Sequence, residues 1–403
     1  MKALVVGNGL AGSICAARLR SLGADVDVIF DRPGATWCHG GGWYLGIHAL
    51  SRLGLPTGRI GEALDFVTVG LPELGLEDGP FGLPDVEGAT RVVDVAPATH
   101  ARAATLPGPV GVVDLAPLGH PFAEMTTLAG AQRLDVRFPE GDGWFGRSFA
   151  AVAAHLEANP AAGEALTVAL AGALAGRGCR SVLLPPVLGI ASASARRTAL
   201  EARLNLPVAE ALDLLPSTPG LRLAEALARW GRDLGVGVRS ARAEAVDPAT
   251  LTVTGSDGTR WRADALILAT GSLLSGGLVG ASRPDEARPL REALADLRLW
   301  PDLPVNLMAA VNPSRPYGQG LFRAGVSIDA RLRPTRPDGT PYAPALFAVG
   351  DLVGGPDGAK DRCATGRALL TGFLAAEPAA AALGSRVDAR SGTPGPAGAE
   401  GAT

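Results

Sequence analysis

The chain of 403 residues holds only four cysteines, Cys15, Cys38, Cys179 and Cys363, and no two of them form a C-x-x-C pair. An iron–sulfur cluster ligated within this chain is therefore excluded, because such clusters draw on local groups of thiolates. The same spacing reads as free thiols in a cytosolic protein rather than a disulfide framework, and no metal site is expected. A basic excess is also missing. With 37 Lys and Arg against 40 Asp and Glu, the net charge is −3, whereas phosphate-backbone binding needs a concentrated basic surface. Nucleic acid is not an expected partner. Apolar runs suited to crossing a membrane are absent too. The uncharged stretch ALILATGSLLSGGLVGAS (265–282) carries four Gly and three Ser, and its first half reads as a buried strand. The first apolar run starts at Ala3 and breaks at Gly7, which does not resemble a signal peptide.

What is present is an ordinary soluble composition, 47% hydrophobic and 19% charged, rich in turns through 54 Gly and 32 Pro. The length suffices for two or three domains. Near its start the chain reads LVVGNGLAGSICAARLRSLG (4–23): an apolar strand, a glycine turn and an amphipathic helix, followed by the strand VDVIF. Gly7, Gly9 and Gly12 stand at G-x-G-x-x-G spacing. The first permits the turn, the second lets backbone approach a phosphate, and the third lets helix pack on strand. Anion attraction at the helix N-terminus completes a nucleotide site over Gly7, Asn8, Gly9, Leu10, Ala11 and Gly12. A purely structural turn is the alternative. At the end of the second strand, where such folds place an acid for the adenosine ribose, the chain has Phe30, with Asp31 one residue later. Asp31 either reaches the ribose through a small change of register or faces solvent.

Two later strands separate flavin from nicotinamide binding. LILATG (266–271) brings backbone past a cofactor at Thr270 and Gly271. LFAVGD (346–351) ends in Gly350 and Asp351, an acid suited to accept from a ribityl hydroxyl. These three elements at opposite ends of the chain fit an α/β, FAD/NAD(P)-binding Rossmann-like flavoprotein fold with an inserted substrate or partner domain. The expected flavin-binding domain comprises 1–60, 221–282 and 341–385; 61–220 and 283–340 form the substrate/partner domain. From 386 to 403 the sequence has too little apolar content to fold and reads as a disordered tail. A helical hairpin is expected over 147–176, a helix opened by STPG over 221–235, and GVSIDARLRP (325–334) as the clearest strand of its region.

The chain resembles the B subunit of anaerobic, quinone-linked glycerol-3-phosphate dehydrogenase. VVGNGLAGSICA, LLPPVLGI (183–190), LPSTPGLRL (215–223), ATGSLLSGGLV (269–279), FRAGVSIDARLRP (322–334) and LFAVGDLVGG (346–355) carry the resemblance, which extends from residue 1 to about 380. It implies a flavoprotein subunit, described in that family as binding FMN, with FAD also compatible with the motifs. It further implies a second flavoprotein subunit, an iron–sulfur subunit that reaches the membrane and quinone, and a small phosphorylated polyol substrate. The location implied is cytoplasmic, peripheral to the inner face of the cell membrane through the partners. CHGGGW (38–43), with Gly41 and Gly42, stands where that family's pattern suggests a serine-containing cofactor loop. PDGAKDRCATG lacks the dense glycines expected before the last helix. No catalytic residue is assigned. His39 is the best-placed histidine, with a structural or solvent-facing role as its alternative, and Arg222 and Arg323 are candidates for an anionic substrate, with a surface ion pair as their alternative role. A non-catalytic electron-carrier or assembly subunit, or a free-standing flavin oxidoreductase on another small molecule, are the alternative functions.

Overall fold

The computed structural model describes residues 2–32, 34–116, 118, 122, 130–137, 146–214, 217–280, 290–301, 311, 314 and 319–391. The opening apolar run forms β1 (Lys2–Val6), and the glycine turn leads into α1 (Leu10–Ser21) and β2 (Asp25–Phe30). Three distant segments join them: β9 (Gly237–Ser240), β13 (Ala265–Leu268) and β18 (Leu346–Ala348). Together they form one sheet in the order β18-β13-β1-β2-β9, parallel throughout, with Val5 opposite Val28 and Ile267, and Ile267 opposite Phe347. Parallel strands covered on both faces read as continuous apolar runs. β13 and β18 are accordingly buried along their whole length.

A second parallel sheet comes from the middle of the chain: β5 (Val110–Ala116), β6 (Ala131–Arg137), β7 (Ser181–Leu184) and β8 (Val208–Glu210), in the order β6-β5-β7-β8. Its own core gathers around Val112, Leu134, Leu183 and Val208, together with α3 (Phe149–Ala158), α4 (Pro160–Leu174) and α5 (Ala193–Leu204). α3 and α4 are the expected helical hairpin, each opened by an N-cap side chain, Ser148 and Asn159. An antiparallel ribbon, β3 (Leu76–Pro84) with β4 (Thr90–Pro97), follows α2 (Ile60–Gly70). α6 (Thr218–Asp233) takes the expected helix but starts inside STPG, before the expected first residue 221, with Ser217 as N-cap, its Oγ accepting from the Gly220 amide at 3.1 Å. A small sheet of β10 (Ala243–Asp247), β11 (Thr252–Gly255) and β12 (Arg260–Arg262) and the two-residue pairs β14 (Leu278–Val279) with β15 (Arg291–Glu292), and β16 (Leu299–Trp300) with β17 (Gly325–Val326), complete the strands described.

Two expectations need correction. GVSIDARLRP is not a continuous strand: after β17 the chain turns, because the Asp329 carboxylate accepts from the amides of Arg331 and Arg333 and pairs with the Arg333 guanidinium at 2.6 Å. An aspartate that captures nearby amides favours a turn over a ladder. The last helix, α7 (Ala364–Ser391), continues past the tail boundary placed at 386, following an alanine-rich run of high helix propensity. Residues 392–403 of the expected tail lie outside the described residues, as do parts of the expected substrate/partner domain.

Candidate functional site

The C-terminal ends of all five strands of the first sheet open on one cavity of about 910 Å³. Gly7 follows β1 at φ +115°, and a Cβ there would lie 2.2 Å from the Ala269 carbonyl oxygen. A Cβ on Gly12 would lie 2.1 Å from the Gly7 carbonyl oxygen. These two glycines let β1, β13 and α1 close on one another. Gly9 differs: it lines the cavity, and among the described residues the one atom near an added Cβ is Thr36 Oγ1, at 3.3 Å. Thr36 Oγ1 accepts from the Leu10 amide at 2.9 Å, while the N-cap residue Gly9 brings no side chain and the first turn of α1 holds no acid. Its N-terminus therefore presents a positive dipole end to the cavity.

Of the residues named from the sequence, Gly7, Asn8, Gly9, Leu10, Ala11, Asp31, Gly42, Thr270, Gly271, Gly350 and Asp351 all line this cavity. Thr270 Oγ1 is buried with no hydrogen-bond partner among the described residues; it faces Gly277, whose added Cβ would lie 2.7 Å away, so Thr270 meets the cavity through its other atoms. Asp31 lies at the β2 end, its Oδ2 3.4 Å from Arg32 Nε. Asp351 follows β18 and accepts from Arg367 Nη2 at 2.6 Å through Oδ1. Arg367 is itself buried and also donates to the carbonyls of Val353 and Pro356.

Gly12 and Gly41 stand apart from the cavity lining. Gly12 serves helix–strand packing, and Gly41, at φ +102°, packs against His100, whose Nε2 would lie 3.0 Å from an added Cβ. Both face the interior of the fold. Arg222 does not face an anionic substrate, nor is it in a surface pair. It donates to both carboxylate oxygens of Glu210, at 2.5 and 3.0 Å, and to the Gly189 carbonyl, all buried. The nearby guanidinium offsets the burial cost and holds the Glu210 carboxyl below its ordinary range. Arg323 donates to the Gly355 carbonyl and stacks over Trp300, 5.0 Å from the ring centroid, away from the main cavity.

His39 does line the cavity, and burial together with the neighbouring His100 lowers it to about 4. Burial also lowers His100 to about 4, and its Nδ1 lies 3.2 Å from the Glu210 carbonyl oxygen. Both imidazoles are therefore neutral near pH 7. Burial raises Asp213 to about 6 even though it accepts from the amides of Leu214 and Thr218. Thr365, in the first turn of α7, and Tyr44 line the same end of the cavity; neither was singled out from the sequence, since isolated Thr and Tyr carry no motif. Among the described residues no group of three or more His, Cys, Asp or Glu gathers as a metal set, and no helix is long and apolar enough to cross a membrane.

The cavity extends to both sides of the glycine turn. Toward one edge of the sheet it reaches Asp31 and Arg32 after β2 and Ala241, Arg242 and Glu244 after β9; toward the other it reaches Gly350, Asp351 and Thr365. Four interstrand gaps of about 4.8 Å place these edges about 19 Å apart. A helix N-terminus at the centre, a cradle at Gly9 open to the cavity and acids at either side suit a phosphate group flanked by hydroxyl-bearing chains. These residues fit a flavin nucleotide.

No family model matches the chain. The probable B subunit of an anaerobic glycerol-3-phosphate dehydrogenase from Halobacterium salinarum is 30% identical over 217 residues, covering 49% of this chain and 47% of the relative. The B subunit of the anaerobic glycerol-3-phosphate dehydrogenase from Yersinia pestis is 31% identical over 203 residues, covering 49% and 45%. The chain thus spans about half the length of the curated relatives it matches, and they carry the name of the family its motifs resemble. Among solved structures, a 3-ketosteroid-delta4-(5alpha)-dehydrogenase from Rhodococcus jostii is 15% identical over 94% of this chain and 96% of its own, with a TM-score of 0.39. A flavocytochrome c3 fumarate reductase in an open conformation is 12% identical over 94% and 78%, with a TM-score of 0.42. The Rossmann-like description rests on this chain's own parallel strand order.

Proposed function

We propose that this chain is a flavoprotein oxidoreductase subunit that binds FAD and takes part in oxidising glycerol 3-phosphate to dihydroxyacetone phosphate, with electrons passed to quinone through partner subunits. The observation that carries the flavin reading is the cavity running along all five strand ends, on both sides of the phosphate-binding turn. A mononucleotide with its phosphate at Gly9 extends from that turn in one direction. The space at Asp31, Arg32, Arg242 and Glu244 on the other side supports a second, adenosine half.

In this reading the turn at Gly7–Gly12 and the α1 N-terminus hold the pyrophosphate. Asp31 holds the adenosine ribose, and the Asp351 carboxylate accepts from the ribityl chain. Gly42 lines the same space with its backbone, and an added Cβ there would lie 2.4 Å from Val93 Cγ1. When bound, a flavin would supply the acceptor for the hydride of an alcohol carbon, the hydroxyl proton leaving to an unassigned base. The partners are a second flavoprotein subunit and an iron–sulfur subunit, as the names of the relatives suggest a multi-subunit enzyme. Contact with the membrane would come through them.

A second reading, an electron carrier whose substrate chemistry is done by a partner, is favoured by where the cations lie. Among the described residues Arg32, Arg242 and Arg291 line the cavity, and none of these belongs to the elements at its β18 end, where a substrate phosphate would need one. Anaerobic mixing with glycerol 3-phosphate separates the two. The flavin-loaded chain alone should lose its visible flavin absorbance if substrate reaches it. Bleaching only after the second flavoprotein subunit is added would establish the carrier role instead. No bleaching in either case would remove the glycerol 3-phosphate assignment.

A further inference from the structure

We propose that Thr365 is a hydrogen-bond donor to the redox-active ring of the bound flavin, and that His39 is the positioning residue that holds it in that role. The inference rests on the flavin reading above. Its basis is a chain of three groups brought together from both ends of the sequence. The Gly41 amide lies 3.2 Å from His39 Nδ1. An amide N–H only donates, so Nδ1 must offer its lone pair, and a neutral imidazole then carries its hydrogen on Nε2. Nε2 lies 3.4 Å from Thr365 Oγ1, so the imidazole donates and the hydroxyl oxygen accepts. The hydroxyl's own hydrogen cannot return to His39. No other acceptor for it occurs among the described residues, and Thr365 is buried at 7% exposure in the cavity wall. The donor is therefore left for the ligand.

The imidazole is fixed in this orientation from other sides. The His39 carbonyl accepts from Ser217 Oγ at 2.6 Å. Its ring meets Trp43 edge-on, with centroids 5.8 Å apart, so rotation would cost packing as well as hydrogen bonds. Thr365 sits at the β18 end beside Asp351, the end left for the ring once the adenosine half occupies the β2–β9 side.

A ring that takes up an electron pair becomes a stronger hydrogen-bond acceptor. A preorganised donor therefore favours the reduced form over the oxidised one. No bond forms or breaks in this role and no proton is transferred; the effect is on the reduction potential.

The test is the two-electron midpoint potential of the FAD-loaded protein, measured by dye equilibration, for wild type, Thr365→Val, Thr365→Ser and His39→Ala. Flavin content and circular dichroism are recorded for each. Thr365→Val and His39→Ala should each weaken the preference for the reduced form about tenfold, about 30 mV lower for a two-electron couple. Thr365→Ser, which keeps the hydroxyl, should stay near wild type. The double variant should fall no further than either single one, because both act through one chain. A wild-type potential in flavin-loaded Thr365→Val overturns the inference while leaving the flavin reading intact. A wild-type protein that binds neither FAD nor FMN overturns both.

Discussion

At the scale of single residues, the three motif glycines have different jobs. Gly7 and Gly12 are confined by backbone, with added Cβ atoms 2.2 and 2.1 Å from carbonyl oxygens, whereas Gly9 has space on the cavity side. Gly9→Val should therefore give a folded protein that has lost its flavin, while Gly12→Val should lose the fold. Circular dichroism and the visible absorbance of the purified variants check this. A Gly9→Val protein that keeps full flavin occupancy would contradict the placement of the phosphates. The G-x-G-x-x-G spacing was readable because strand, turn and helix are contiguous. The role of Thr365 was not, because its partner His39 is 326 positions away. Arg222 was legible as one half of an ion pair, but not as a buried one, because its carboxylate partner, Glu210, belongs to the second sheet.

At the scale of elements, the end of β18 and the start of α7 are coupled through one ion pair. Asp351 receives Arg367 at 2.6 Å, and Arg367 is 5% exposed. Asp351 is therefore a structural residue as well as a candidate flavin ligand. Asp351→Ala should lower stability by about 2 kcal/mol, the scale of a lost hydrogen bond to a charged group, and weaken flavin binding as well. Urea unfolding of the flavin-free protein isolates the first effect, and flavin titration reads the second. Unchanged unfolding would show that the ion pair contributes nothing to the fold. β1, α1, β2, β13, β18 and α6 were readable from local apolar patterns and caps. The second sheet was largely unreadable, because buried parallel strands pair across long separations, as Val110 does with Ser181, and nothing local records the partner. GVSIDARLRP failed as a strand because one side chain, Asp329, takes the amides a ladder would use.

At the scale of the whole molecule, one parallel sheet assembled from distant segments makes the ligand groove, and a second α/β core is built from the middle of the chain. The loop carrying His39 and Gly41 joins the two: Gly41 packs on His100, which reaches Glu210 of the second sheet. The proposed ring end of the groove is thus the end nearest the second core. The proposed adenosine end lies at the opposite edge, by Arg32 and Arg242. Identifying the released cofactor tests this arrangement most directly. The chain is purified and denatured, and the supernatant is analysed by absorbance and mass spectrometry, with reconstitution by FAD and by FMN for any flavin-free fraction. About one FAD per chain, and no stable uptake of FMN, is the result expected. FMN alone, or a folded chain that takes up neither flavin, would contradict the account.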